Sequence, residues 1–199
     1  MRFTDEWQDG YHGWTDMPLL TVGFSSRLTA KWPKILPHLW FSDYTYSLWM
    51  DGSLQLNRNP YEYIQELLGD NDIALYHHHT RSTVLDEALG LAATGYDDPY
   101  TLHSQALKYT MDGFPDTGLY CGTVILRRHT PAIARFNELW MTEILRGSIR
   151  DQVSLPYALW KAEIIPAVIP GNPFDGDLFT HTPHVAEARA VQEASHGLV

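Results

Sequence analysis

A carboxylate and a glycine stand directly behind an apolar stretch in the segment Tyr46-Ser47-Leu48-Trp49-Met50-Asp51-Gly52-Ser53. The stretch predicts a buried strand, and ligands of open α/β sheets bind beyond the carboxyl ends of such strands. An Asp in that place can hold a Mg or Mn ion, since these cations prefer oxygen ligands, or it can bind a sugar hydroxyl. The alternative is an ordinary Asp-Gly turn, and Ser53 stands where a second metal-binding carboxylate is usual.

Asp151 and Gln152 form a second polar pair, in the segment Arg150-Asp151-Gln152. The pattern predicts the start of a helix, at which Asp151 would be the N-cap. Asp and Gln side chains at a helix start can also hydrogen-bond several hydroxyls of one sugar. The capping role and the sugar-binding role can coexist.

Three basic residues, Lys31, Lys34 and His38, are spaced at i, i+3 and i+7, so a helix would place them on one face. A lysine pair near Asp51 could neutralise a diphosphate. A solvated helical face is the alternative interpretation of the same spacing.

Histidines and glycines supply further candidates. His77, His78 and His79 cannot all ligate one metal, because successive strand residues point to opposite faces, so we expect one His and Arg81 to face the cleft. The glycines of Gly118-Leu119-Tyr120-Cys121-Gly122 suggest a bulge or a close approach to a ligand, with Cys121 as a buried small side chain. In the tail, His181 or His184 could complete a metal site begun by Asp51, or lie on a surface loop.

Composition excludes several classes of function. The net charge is -10 and the Lys and Arg residues form no long run, which argues against a general nucleic-acid binder. One cysteine allows no intrachain disulfide, no apolar run approaches the roughly 20 residues of a membrane span, and residues 1–10 lack a signal-peptide core. We therefore expect one cytoplasmic domain over residues 1–199.

Strands and helices are predicted to alternate along the chain. Predicted strands cover residues 18–24, 44–50, 73–76, 122–128 and 164–169, and predicted helices cover 30–41, 61–68, 83–94, 99–112, 131–146 and 152–162. The tail, residues 171–199, is loop-rich with a possible short helix over 186–194. This alternation favours an α/β fold around a largely parallel sheet flanked by helices.

Nearly the whole chain resembles, in the right order, the glycosyltransferase-like domain of plant mucilage-related and turgor-regulation proteins, a domain that also occurs in bacteria and phages. The segments that carry the resemblance are Phe3-Thr4-Asp5-Glu6, residues 30–38, Tyr46-Ser47-Leu48-Trp49-Met50-Asp51-Gly52, His79-Thr80-Arg81, Gly113-Phe114-Pro115, Gly118-Leu119-Tyr120, residues 124–129 and residues 150–157.

The resemblance implies a single GT-A-like, Rossmann-like domain that moves a sugar from a nucleotide-sugar donor to a glycan or other acceptor. It implies the following roles: Asp51 and His184 as ligands of a Mn or Mg ion, Lys31, Lys34, Arg81 and Gly118 as contacts of the donor, and Asp151 and Gln152 as the catalytic pair that holds the donor sugar.

Two departures from the family pattern stand out. Family members usually carry a further strand and loop before the Phe-Thr-Asp segment, where the nucleotide base would bind, and this chain begins at Met1-Arg2-Phe3. We therefore expect the first strand to be missing. Family members also commonly show Glu after Gly-Leu-Tyr, where this chain has Cys121.

Glycosyl transfer is thus the expected function, and it requires Asp51 and Asp151 to meet in one hollow that is open to solvent. One alternative is a metal-dependent amidase or ceramidase-like hydrolase, with zinc ligands drawn from His77, His79, His181 and His184. Another alternative is a degenerate domain that binds carbohydrate without turnover.

Overall fold

The computed structural model describes residues 2–4, 16–19 and 25–182. The helices in these ranges are α1 (Ser26–Ile35), α2 (Pro37–Trp40), α3 (Ile64–Leu68), α4 (Val84–Ala93), α5 (Pro99–Met111), α6 (Pro131–Arg146) and α7 (Asp151–Lys161), and a 3-10 turn (Pro60–Glu62) precedes α3. The strands are β1 (Arg2–Thr4), β2 (Asp16–Pro18), β3 (Tyr46–Met50), β4 (Leu54–Leu56), β5 (Ile73–His77), β6 (Tyr120–Arg128), β7 (Ala167–Val168) and β8 (Phe179–His181).

The central sheet has the strand order β3-β6-β5-β7 and is mixed. Strand β6 is antiparallel to both β3 and β5, and within this sheet only β5 and β7 pair in parallel. The α/β class is as expected, but the expectation of a largely parallel sheet is wrong. Two small sheets, β1-β2 and β4-β8, complete the strand pairing of the described residues.

The orientation of β6 follows from the connection that precedes it. Between β5 and β6 the chain forms two helices, α4 and α5, that pack on each other. One helix would return the chain to the starting edge of the sheet and give a parallel strand, whereas two helices return it to the edge where β5 ended. Since β3 and β5 are both antiparallel to β6, they run in the same direction, and their carboxyl ends lie at one edge.

A bulge interrupts β6 at that edge. Leu75 pairs with Ile125, but the next residue, Tyr76, pairs with Cys121, so residues 122–124 have no partner on β5. The Asp51 amide instead donates to the Thr123 carbonyl at 2.9 Å. A bulge bends its strand and re-aims the side chains there. The glycine pattern predicted this feature, and it brings the start of β6 against Asp51.

Helix α6 supplies much of the core on one face of the sheet. Its residues Ile133, Phe136, Trp140 and Ile144 are buried at the predicted helical spacing, and the Thr130 hydroxyl caps the helix by accepting from the Ile133 amide. Burial of each such side chain contributes roughly 1.5–3 kcal/mol. Helices α1 and α7, which carry polar residues described below, pack against α6.

Other predicted elements differ from the structure at their ends. The helix predicted over 30–41 begins earlier, after the Ser25 cap, and divides at Leu36 before Pro37. The tail predicted to be loop-rich contains β8, whose register with β4 pairs Leu54 with His181. Most of the strand predicted over 18–24 and the helix predicted over 186–194 lie outside the described residues. None of the described helices has the length and apolar character needed to cross a membrane.

Candidate active site

A cavity of about 840 Å³ opens at the edge where β3 and β5 end. Its described walls come from α1, the residue after β3, the loop after β5, the bulged part of β6 and the first turn of α7. Of the residues predicted to form the site, those that line the cavity are Lys31, Lys34, Asp51, Arg81, Asp151, Gln152 and His181. Gly118 and His38 lie outside its described lining, and His184 lies outside the described residues.

Lys34 contacts both of the predicted carboxylates, Asp51 and Asp151. Its ammonium nitrogen lies 2.6 Å from Asp151 Oδ2 and 3.4 Å from Asp51 Oδ1. Lys31, one helical turn earlier, binds the other Asp151 oxygen at 2.9 Å. The structure thus brings together residues from α1, the end of β3 and the start of α7, although Asp51 and Asp151 are far apart in sequence.

The two carboxylates differ in exposure. The Asp51 side chain is 40% exposed, whereas the Asp151 side chain lines the cavity but is only 5% exposed. The two carboxylates border one cavity as required, but Asp151 is buried, so the expectation that both would be open to solvent is wrong. Asp151 Oδ2 has no hydrogen-bonding partner in the described ranges beyond the Lys34 ammonium.

Lys34 and Asp151 stabilise each other's charged forms. Burial alone would raise the pKa of Asp151, but Lys34 and Lys31 hold the pKa well below its usual range. Burial would lower the pKa of Lys34, yet Asp151 and Asp51 outweigh it and the pKa is raised. Lys31 differs, because burial lowers its pKa and Asp151 only partly opposes the shift. Asp151 is therefore a weak base that is well suited to holding lysines in place.

The Trp49 indole and the Arg127 guanidinium fix the two ends of this cluster. The Trp49 indole N–H donates to Asp51 Oδ1 at 2.8 Å, which fixes the carboxylate at the end of β3. Behind the cavity, the fully buried Arg127 donates from Nη1 to the Lys34 carbonyl at 2.9 Å and so anchors the end of α1. Burial lowers the pKa of Arg127 to about 9.

Gly122 is the glycine that approaches the charged group. A Cβ added there would lie 3.1 Å from Asp151 Oδ2 and 3.3 Å from the Lys34 ammonium, closer than side chains normally pack. A Cβ at Gly118 would meet nothing nearer than the Tyr120 hydroxyl at 3.7 Å. The sequence suggested close approach for this pair of glycines, but the donor contact was assigned to Gly118, and no cavity contact supports that assignment.

The first turn of α7 faces the cavity with its N–H groups uncapped by any side chain. The expectation that Asp151 is the N-cap is wrong, since Arg150 holds that position and the Asp151 side chain turns to the lysines. The Arg150 guanidinium lies 5.1 Å from the centre of the Tyr96 ring and donates to Gln152 Oε1 at 3.3 Å. A helix N-terminus beside a cation that has no carboxylate partner in the described ranges favours negative charge.

A second polar group lies in the loop after β5. Glu87, which is buried, forms an ion pair with Arg81 and lies 3.8 Å from His78 Nε2. His78 Nδ1 accepts the backbone N–H of Arg81 at 3.0 Å, so both ring nitrogens of His78 are engaged. This histidine therefore shapes the loop that presents Arg81 to the cavity. The sequence gave no sign of Glu87, which lies within α4.

The described residues do not fit a resident divalent cation. Within these ranges no three His, Cys, Asp or Glu side chains are grouped closely enough to hold a metal ion. Asp51 Oδ1 is engaged by Trp49 and Lys34, and both Asp151 oxygens face lysines. For the hydrolase alternative, His79 and His181 line the cavity, but His77 stacks on Tyr120 outside its described lining.

Positive charge exceeds negative charge around the cavity. Five cationic side chains and three carboxylates are among its described lining residues, with the histidines neutral: Arg27, Lys31, Lys34, Arg81 and Arg150 against Asp51, Glu87 and Asp151. No carboxylate within the described ranges forms an ion pair with Arg27 or Arg150. An excess of two positive charges in a protein of net charge -10 indicates a site for an anionic ligand.

Comparison with known proteins agrees with this chemistry. A family model described as "TOD1/MUCI70, glycosyltransferase-like domain" matches residues 22–184. The chain is 34% identical over 139 residues to the probable hexosyltransferase MUCI70 of Arabidopsis thaliana, an alignment that covers 64% of this chain and 24% of the relative. The chain therefore spans about a quarter of that relative's length, and no solved structure matches it. By its match to the family model, the chain belongs to the TOD1/MUCI70 glycosyltransferase-like domain family.

Proposed function

We propose that this protein transfers a hexosyl group from a nucleotide-sugar donor to an acceptor hydroxyl. The observation that carries the proposal is the cationic cavity in which Asp51 and Asp151 meet at Lys34, in a chain of a glycosyltransferase-like family. The diphosphate diester of such a donor is a dianion, which matches the excess of positive charge among the described lining residues. The description of the MUCI70 relative as a probable hexosyltransferase supports a hexose as the transferred sugar.

In the proposed reaction, the bond between the anomeric carbon and the diphosphate breaks, and its electron pair stays on the diphosphate oxygen. The acceptor oxygen forms the new bond to the anomeric carbon, and the acceptor proton is released. Lys31 and Lys34 stabilise the negative charge that develops on the leaving group, as preorganised cations do in a partly dry site. Asp151 positions the two lysines, and Gln152, at the cavity wall, contacts the sugar.

Arg81 and Arg150 are proposed to complete the contacts with the donor. The Arg81 guanidinium lies against Gly90 of α4, and a Cβ at Gly90 would overlap it. Arg150 stands beside the uncapped turn of α7. A nucleoside diphosphate bound along this wall would contact cations from several different elements, which explains how one orientation of the donor is selected.

The proposal is tested by incubating the purified chain with a panel of UDP- and GDP-hexoses, with and without candidate glycan acceptors. We expect release of nucleoside diphosphate with at least one donor. Gln152→Ala should reduce this release by about tenfold, the effect of one lost hydrogen bond to a charged or polar substrate group. Gln65→Ala, at an exposed position of α3, is the matched control and should leave release unchanged. A chain that neither binds nor turns over any of these donors would contradict the proposal.

A further inference from the structure

The position of Lys34 carries an inference that rests on the proposed function and deepens it. A divalent cation held by Asp51 would need the Asp51 oxygens and further ligands nearby. The Lys34 ammonium already lies between Asp51 Oδ1 and Asp151 Oδ2, at 3.4 and 2.6 Å. A lysine charge therefore stands where a bound metal ion would contribute its charge.

The surrounding contacts fix this arrangement. Asp51 Oδ1 is further engaged by the Trp49 indole, and the side chain of Lys34 is only 7% exposed. The Gly122 backbone packs so closely against the pair that no Cβ fits without displacing it. Lys31 binds the other oxygen of Asp151, Oδ1, and 18% of its side chain is exposed. The lysine pair is thus preorganised, with Lys31 the member more accessible to a ligand.

The electrostatics of the site disfavour an added metal ion. A divalent cation on the remaining oxygen of Asp51 would lie close to the Lys34 ammonium and would be repelled by it. The excess of positive charge among the described cavity residues is present without any metal, and it equals the charge of a diphosphate diester. A dianion can therefore be neutralised by side chains alone.

We infer that Lys31 and Lys34 bind the diphosphate of the donor directly, in place of a divalent cation, so that donor binding is independent of divalent metal. The two lysines belong to α1, and the first turn of α7 and Arg150 border the same cavity. Asp51 and Asp151 keep the ammonium groups in place and do not ligate a metal.

The probes for this inference are inorganic pyrophosphate and UDP, titrated calorimetrically against the full chain in EDTA and, separately, in excess Mn²⁺. We expect both probes to bind in EDTA without any requirement for Mn²⁺, which itself complexes diphosphates and so competes for the free probe, and we expect weaker binding as salt is raised. Lys31→Met should weaken binding in EDTA by at least about tenfold, the loss expected for one charge-assisted hydrogen bond. Lys161→Met, which removes the same charge at an exposed position of α7, should leave binding unchanged.

Lys34→Met leaves Asp151 with one lysine and can reduce folding, so Lys31→Met is the decisive variant, because Asp151 keeps its contact with Lys34 there. Binding of either probe that requires Mn²⁺ would overturn the inference and leave the proposed function standing. If pyrophosphate binds without metal but no nucleotide sugar is bound or turned over, the inference stands and the proposed function is overturned. Failure of both probes to bind in either buffer would overturn both.

Discussion

Two lysines of this protein each lie between two carboxylates, and their surroundings differ. Lys34 lies between Asp51 and Asp151 at the cavity. Lys108 of α5 lies 2.9 Å from Asp112 and 3.8 Å from Glu143, in a group that joins α5, α6 and α7. The same residue types thus form both groups, and α7 contributes to each of them.

The Lys108 group is closed by its own tyrosines. The Tyr157 hydroxyl donates to Asp112, the Tyr109 hydroxyl donates to Glu143 at 3.1 Å, and the two tyrosine rings stack with their centres 3.8 Å apart. None of these residues is among the described lining of the cavity, and the Lys108 side chain is 48% exposed. The group therefore links three helices and lies outside the described lining of the cavity.

The Lys34 group has the opposite character. It is more deeply buried, it borders a cavity, and it lies among cations that exceed the carboxylates. Excess charge that faces a cavity is available to bind a ligand, whereas charged groups that pair with one another stabilise the fold. Four predictions test this distinction, from the largest expected effect to the smallest.

Loss of Asp151 should have the largest effect. Asp151→Asn removes the shared partner of two lysines and leaves buried positive charge, a change that costs about 3–5 kcal/mol in buried ion pairs. Asp112→Asn changes a carboxylate of the Lys108 group near solvent, where such pairs contribute little. Urea denaturation of both variants measures the free energies of unfolding. Equal losses would contradict the distinction between the two groups.

The pH dependence of stability should report the same ion pairs. The folded-state pKa of Asp151 is depressed, so its contribution is fully present above the unfolded pKa of about 3.9 and is lost as the pH falls through the folded pKa. The difference in unfolding free energy between the wild type and Asp151→Asn should therefore shrink below about pH 4. Denaturation series from pH 7 to pH 3 provide the measurement, and a constant difference would show that the pKa is not depressed.

Gly122→Ala should disturb the site with a smaller loss of stability. The new methyl group would press on Asp151 and Lys34, so we expect pyrophosphate affinity to fall by about tenfold at a stability cost of about 1 kcal/mol, typical of mild overpacking. Gly118→Ala is the matched control, because its Cβ meets only ordinary contacts. Equal affinities of the two variants would mean that Gly122 does not constrain the charged pair.

We expect the smallest effect at Cys121, whose thiol should react slowly with reagents because it is a buried neighbour of the site without a chemical role. It is 1% exposed, and burial raises the pKa of its thiol to about 11. A disulfide reagent at pH 8 should label the native chain far more slowly than the urea-unfolded chain, because the thiolate is the reactive form. Rapid labelling of the native chain would indicate an accessible, activated thiol.

Much of the local structure could be predicted from sequence. The helices predicted over 83–94, 99–112 and 131–146 are present as α4, α5 and α6, with ends that differ by one residue at most. The direction of β6 could not be predicted, because it depends on how α4 and α5 pack together. The pairing of β8 with β4 was missed for a related reason, since short strands carry little signal until a partner is known.

Prediction of the site residues also succeeded for residue types and failed for contacts that depend on tertiary packing. The sequence identified Lys31, Lys34, Asp51, Arg81, Asp151 and Gln152, all of which line the cavity, although their roles stay predictions. It also assigned Gly118 where Gly122 makes the close approach, and it gave no sign of Glu87 or Trp49 as partners of Arg81 and Asp51.

By itself, the sequence determined which residues carry charge and which segments form most of the helices. These features depend on neighbours along the chain, whose spacing is fixed by helix geometry. Only the tertiary structure decided that Lys34 would lie between Asp51 and Asp151, because strand direction, the bulge in β6 and the packing of α1 against the rest of the domain must all be set before these three side chains meet.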